Sequence, residues 1–257
     1  MNDGADLAWL GLKRAQIGRW GFTLTTQLSR FDGKFYGGTG LAVAIALMEA
    51  ETGRHAVWAT VQFASTADAG DEIYCEVEVL AEGRRTSQLR INAATRDGIL
   101  FTALGATGEY RRGVLEAQFG AQPQVPRPDD CQSWRPAIAL REGHNPGWLS
   151  DMDIRQVDGG MGYWMRMHDK PLTRAAQAFM ADVVPSGVVR AAGRTGAGRS
   201  LDNSIRLGPD PVGDWVLVDI DPQLISGGYV HGAARLWSTD GTLLGIASQT
   251  ASLLLFD

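Results

Sequence analysis

Two cysteines and four histidines in 257 residues leave little room for metal or disulfide chemistry. Cys75 and Cys131 lie far apart without metal-type spacing, so both read as reduced thiols, Cys75 as a small strand hydrophobe. His55, His144, His168 and His231 show no ligand spacing and no Ser-His-Asp arrangement. No segment has the long uncharged apolar run of a membrane helix. The stretch MNDGADLAWLGLKRAQ has neither the basic start nor the apolar run of an export signal. No basic stripe appears either, and a net charge of −5 argues against nucleic acid as the main partner. These absences point to a cytoplasmic protein with no metal, no cofactor, no nucleic acid and no membrane. What is present is ordinary for a globular chain, at 44% hydrophobic and 21% charged residues, and long enough for one large domain or two small ones.

The chain repeats itself. AGDEIYCEVEV, from residue 69, lies over VGDWVLVDIDP, from residue 212, and Gly70-Asp71 falls on Gly213-Asp214 at an offset of 213 − 70 = 143. Asp97-Gly98 falls on Asp240-Gly241 at the same offset, 240 − 97 = 143. Ile73, Cys75, Val77 and Val79 alternate with polar residues, as do Leu89 and Ile91, the period of a half-buried strand. Val216, Val218 and Ile220 repeat it in the second copy, and the Asp-Gly pairs are strong hairpin signals. Ahead of each strand set lies one helix. The first, over 39–53, is apolar nearly all round and therefore buried, with Gly53 as its stop. The second spans 171–184, with Pro171 at its start and Pro185 just beyond its end. AAGRTGAGRS, 191–200, reads as a Gly-rich loop. Prolines 123, 126 and 128 mark an extended connector.

Each half is thus a short strand, a buried helix and a run of antiparallel strands. The expected fold is α+β, a double hot-dog: two antiparallel sheets, each wrapped around a central helix and paired edge to edge, which covers an edge strand of each half. The expected organisation is an N-terminal unit over 1–115, a linker over 116–150 and a C-terminal unit over 151–257.

The residues FYGGTGLAVAIALMEA, the run FASTADAGDEIYCEVEVLAEGRRTSQLRINAATRDGILF, the segment SLDNSIRL and the ending TDGTLLGIASQT resemble, in order and spacing, the acyl-CoA thioesterase II family of double hot-dog thioesterases. The likeness covers roughly residues 20 to 255. It implies hydrolysis of an acyl-CoA thioester by a water that an Asp, a Thr or Ser, and a Gln bind and activate, all in the second half. Asp202 falls on the family aspartate and Gln249 on the glutamine. The hydroxyl position falls on Gln223, a departure from the family pattern, with Ser226 three residues away. Subtracting 143 takes Asp202 to Ala59 and Gln249 to Ala106, which predicts one active site per chain.

A thioester carbonyl is reactive enough for direct attack by water. The general base is then Asp202 and the water-holding amide Gln249, which both donates and accepts. Oxyanion donors are expected at the helix N-terminus YGGTG, from Gly37, Gly38 and Thr39, where backbone N–H groups are unpaired and Gly40 adds close approach. The acyl chain would lie against Leu41, Met48 and Phe63. Two alternatives stand beside the hydrolase: a non-catalytic acyl-CoA binder, and a hot-dog dehydratase or hydratase, which needs a histidine near the carboxylate. A homo-oligomer is expected.

Overall fold

The computed structural model describes residues 4–111, 113–135, 145–157 and 161–256; His144 and residues 136–144 of the expected connector lie outside them. After a short helix α1 (Ala5–Trp9), the first half comprises β1 (Lys13–Gln16), β2 (Arg19–Thr23), α2 (Gly37–Thr52), β3 (His55–Phe63), β4 (Glu72–Glu82), β5 (Thr86–Thr95) and β6 (Gly98–Gly108). The second comprises β7 (Gln132–Ser133), β8 (Met152–Gln156), β9 (Tyr163–Met167), α3 (Arg174–Met180), α4 (Val184–Ala191), β10 (Gly196–Leu207), β11 (Val216–Ser226), β12 (Tyr229–Trp237) and β13 (Leu243–Leu255).

The helix expected over 39–53 forms, and every residue from Gly37 to Met48 is buried. With no polar face it lies between the sheet, chiefly β3 and β6, and α3. Gly53 ends it in the left-handed region, φ 62°, and its N–H donates to Glu49 O at 2.8 Å.

Where two sheets were expected, the strands form one antiparallel sheet of thirteen, ordered β1-β2-β4-β5-β6-β3-β10-β13-β12-β11-β9-β8-β7. The halves do meet edge to edge. The ladder simply runs on through β3 and β10, with Asp202 opposite Gln62 and Arg206 opposite Trp58. The Thr60 and Ser204 hydroxyls meet 2.8 Å apart across this seam.

The internal repeat is visible in irregularities of the ladders. Leu80 and Gln223 are the extra residues where β4 meets β5 and β11 meets β12, at an offset of 223 − 80 = 143. Leu100 and Leu244 play that part where β5 meets β6 and β12 meets β13, at 244 − 100 = 144. Val57 and Leu201 do so in β3 and β10, at 201 − 57 = 144. In chain order the offset is therefore 144 at β3 and β10, 143 through the first hairpin, and 144 again past the second. Because side chains alternate, each single-residue change reverses which face of the sheet a paired position occupies.

The second helix departs from the expected 171–184. α3 stops at Met180, a tight turn over 181–183 follows, and α4 continues to Ala191. Pro185 lies in the first turn of α4, where its missing N–H costs no hydrogen bond, so it restarts a helix and does not end one. The expected Gly-rich loop is correspondingly short, since Gly196–Ser200 is already strand.

Helix α2 crosses the second half closely. A Cβ on Gly38 would sit 2.3 Å from Phe179 O, a backbone atom that cannot swing away. Gly38→Ala is expected to cost about 2 kcal/mol by overpacking, read as a lower urea midpoint with unchanged slope.

Candidate active site

Between α3 and α4 the backbone leaves helical geometry at Asp182, with φ −75° and ψ 17°. Its carboxylate is buried, 8% exposed. The Gly38 N–H, from the first turn of α2, donates to it. So do Asn203 Nδ2 at 2.8 Å, Ser200 Oγ at 3.3 Å and Gln249 Nε2. Gln249 Nε2 also lies 2.9 Å from Ser200 Oγ. The strands explain the grouping. Asn203 sits opposite Gln249 and Ser200 opposite Ala251 in the β10–β13 ladder, with the extra residue Leu201 between them. All three side chains therefore share the inward face.

Gln249, the residue expected to hold water, is at this site and 3% exposed. Asp202 is not. It pairs with Thr250 and Gln62 on the other face, and its Oδ1 accepts from Thr250 N at 2.9 Å. Gln223 and Ser226 are exposed at the far end of β11, Gln223 as the extra residue of the ladder. The hydroxyl beside Gln249 belongs to Ser200. Gly37 and Gly38 are in place, and a Cβ on Gly37 would sit 2.8 Å from Asp182 Oδ1 and 2.7 Å from Ser200 Oγ. Thr39 is committed elsewhere: its N–H donates to Tyr36 O at 3.0 Å and its hydroxyl to Leu28 O at 2.7 Å. Leu41 and Met48 are fully buried core, whereas Phe63 lines the cavity. Two signals for the missed residues were available. Asp182 is a lone carboxylate in the apolar run AFMADVVP. Asn203 shares its parity with the apolar Ile205, whereas Asp202 shares its parity with Arg206.

The site opens into a cavity of about 750 Å³. Aromatic rings line much of it, and Tyr36 stacks on Trp148 with centroids 4.6 Å apart. Asp182 is the one carboxylate among its lining residues, against five arginines, 30, 135, 190, 194 and 199. Burial pushes the Asp182 carboxyl up to about 7, and the donors from Gly38, Asn203, Gln249 and Ser200 hold it from going further. Having turned their N–H groups to Asp182, the two amides leave Asn203 Oδ1 and Gln249 Oε1 buried with no partner among the described residues. Buried acceptors of this kind call for a donor such as water.

Family models describe residues 27–108 as an acyl-CoA thioesterase N-terminal domain and 117–253 as an acyl-CoA thioesterase C-terminal domain. The chain belongs to the acyl-CoA thioesterase family. It is a thioester hydrolase with the hot-dog fold. Among solved structures, it is similar to a candidate thioesterase of Novosphingobium aromaticivorans, at 29% identity and TM-score 0.84, covering 96% of this chain and 98% of that one. It shares its fold with the tesB protein of Mycobacterium avium subs. paratuberculosis, at 23% identity and TM-score 0.78, covering 98% and 99%. The same holds for the acyl-CoA thioesterase II TesB2 of Mycobacterium marinum, at 19% identity and TM-score 0.74, covering 98% of each. No match was found among curated proteins.

With the ladders as reference, the thioesterase's asymmetry can be restated. At an offset of 144, Ser200, Asn203 and Gln249 correspond to Ala56, Ala59 and Gly105, not to the residues a uniform 143 selects. Counted from the left-handed glycines that follow the helices, 193 − 53 = 140, Asp182 corresponds to Ala42. All four polar groups are alanine or glycine in the first half. Met48 covers Gly105, where a Cβ would meet its sulfur at 2.5 Å.

The folded value of Asp182, about 7, lies above the ordinary 3.8, so the native state binds this proton more tightly than the unfolded chain. The resulting stabilisation is complete below about pH 3.8 and lost as pH rises through 7. Asp182→Asn is therefore expected to raise stability above pH 8, by up to a few kcal/mol at roughly 1.4 kcal/mol per unit. That gain should shrink steadily toward pH 5 in paired thermal melts.

Proposed function

We propose that this thioesterase hydrolyses acyl-CoA with a water activated by Asp182 rather than by Asp202. The observation that carries the reading is a buried carboxylate whose amide neighbours present unpaired acceptors beside it. A water there donates one proton to Asp182 and the other to an amide oxygen. Its own oxygen then faces the thioester carbonyl. As the C–O bond forms, the proton passes to Asp182 and the carbonyl oxygen becomes an oxyanion. The N-terminal turn of α2 is the stabilising group, through the backbone N–H groups of Gly37 and Gly38. Once protonated, Asp182 holds Gly38 N–H less strongly, which releases that donor as the oxyanion appears. Collapse breaks the C–S bond. The CoA thiolate takes the proton from Asp182, giving the free acid and CoA.

The missing side chain at Gly37 lets the first turn of α2 come directly against the carboxylate, since a Cβ there would lie 2.8 Å from Asp182 Oδ1. The aromatic walls suit an acyl group, and the arginines suit the phosphates of CoA. A dehydratase reading finds no support, because no histidine lines this cavity among the described residues. A non-catalytic binder would follow from the hydroxyl that position 223 lacks, and Ser200 supplies a hydroxyl beside Gln249.

Thiol release from a series of acyl-CoA esters tests the assignment. Asp182→Asn should lower kcat roughly 100- to 10,000-fold, the usual worth of a general base, while Asp202→Asn stays within about threefold of wild type. The reverse pattern would return the base to Asp202. For the wild type, kcat/KM should rise with pH through about 7, as the carboxylate forms. Gln249→Ala removes a donor to the charged form, so its rising limb should move to higher pH.

A further inference from the structure

A second cavity, of about 730 Å³, lies at the opposite end of the β3–β10 seam. It is the internal-repeat mate of the first. Arg199, Ser200 and Leu201 line the first cavity, and at an offset of 144 their counterparts His55, Ala56 and Val57 line the second. Phe63 of the first likewise becomes Leu207 of the second, 207 − 63 = 144, and Leu254 becomes Tyr110, 254 − 110 = 144. The same strand ends thus build both walls. The groups that would perform hydrolysis are gone, replaced by Ala42, Ala56, Ala59 and Gly105, yet a cavity of nearly equal volume persists. A half kept only as scaffold would be expected to fill that space with side chains. Arg206 and Arg174 line the second cavity, with His55 in place of Arg199, beside Glu109 and Glu116.

We infer that the second cavity binds an acyl-CoA molecule without hydrolysing it, so that each chain binds two and cleaves one. The ligand class rests on the thioesterase reading of the first cavity. The shared construction of the two walls extends it to the second.

The test is calorimetric titration of the full chain with S-hexyl-CoA, a thioether that cannot be hydrolysed, alongside hexanoyl-CoA turnover. Two equivalents per chain are expected. The double variant His55→Glu, Arg206→Glu should bind one equivalent, with kcat within about twofold of wild type. Val57→Trp, at a half-exposed position on the cavity wall, should also bind one, which guards against a folding defect in the charge-reversed protein. One equivalent in the wild type, with turnover intact, would overturn the second site and leave the hydrolase reading standing. Two equivalents retained in both variants would overturn it as well. Neither binding nor turnover on any acyl-CoA would instead defeat the reading of the first cavity, and this inference with it.

Discussion

Burying the Asp182 carboxylate between the two halves is the constraint around which the rest is arranged. An ionised carboxylate in an apolar interior is costly unless donors surround it. Each half supplies some of them. Gly38 comes from the first half, and Ser200, Asn203 and Gln249 come from the second. Gly37 and Gly38 let the first turn of α2 come close enough, and the break between α3 and α4 places the carboxylate there. The continuous ladder through β3 and β10 fixes the two halves relative to each other. A looser join would leave the charge short of a donor, and the site would then lose either its ionised form or its burial.

The repeat explains why such a site is not made twice. Both halves carry the same three ladder irregularities, so the backbone is prepared for two sites. Side chains decide the difference. In the first half alanine and glycine stand at the polar positions, and Met48 packs over Gly105. A second buried carboxylate would add a second desolvation cost for each chain. The first half instead contributes the backbone at the start of α2 and much of the cavity wall, including Phe35 and Phe63.

Much of this was legible from residues alone. The apolar α2, its Gly53 stop, the alternation in β4, β5 and β11 and the Asp-Gly hairpins follow from local patterns, whereas Gln249 was indicated by the likeness to the thioesterase family. The outward-facing Asp202 and the mismatched repeat partners share one physical origin, which is parity. An offset of 143 fits the stretch from Gly70-Asp71 to the second hairpin, but β3 and β10 before it are related by 144. One added residue at the second hairpin moves every later position to the opposite face, taking Gln249 from Ala106 to Gly105. Leu201 does the same inside β10, turning Asp202 outward and Asn203 inward. Irregularities of this kind are set by pairing between distant strands, so a single strand's pattern does not reveal them. Asp182 was hidden differently. Pro185 read as the end of a helix, which made the carboxylate before it look like a helix tail.

The choice of amides and a hydroxyl around Asp182, rather than a cation, has its own logic. An arginine or lysine in direct contact would hold the carboxyl well below the ordinary range, leaving a weak base for the proton of an attacking water. An apolar shell would have the opposite effect and keep the group protonated at neutral pH. Two amides, one hydroxyl and one backbone N–H lie between these extremes, and the carboxyl comes to rest at about 7. An amide has a further property that neither alternative offers. It gives its N–H to the carboxylate and still presents an oxygen of its own. In the proposed mechanism, Gln249 and Asn203 would each tune the base and hold the water with the two ends of one planar group. On that reading, the double use would account for an amide at the middle of so apolar a strand as β13.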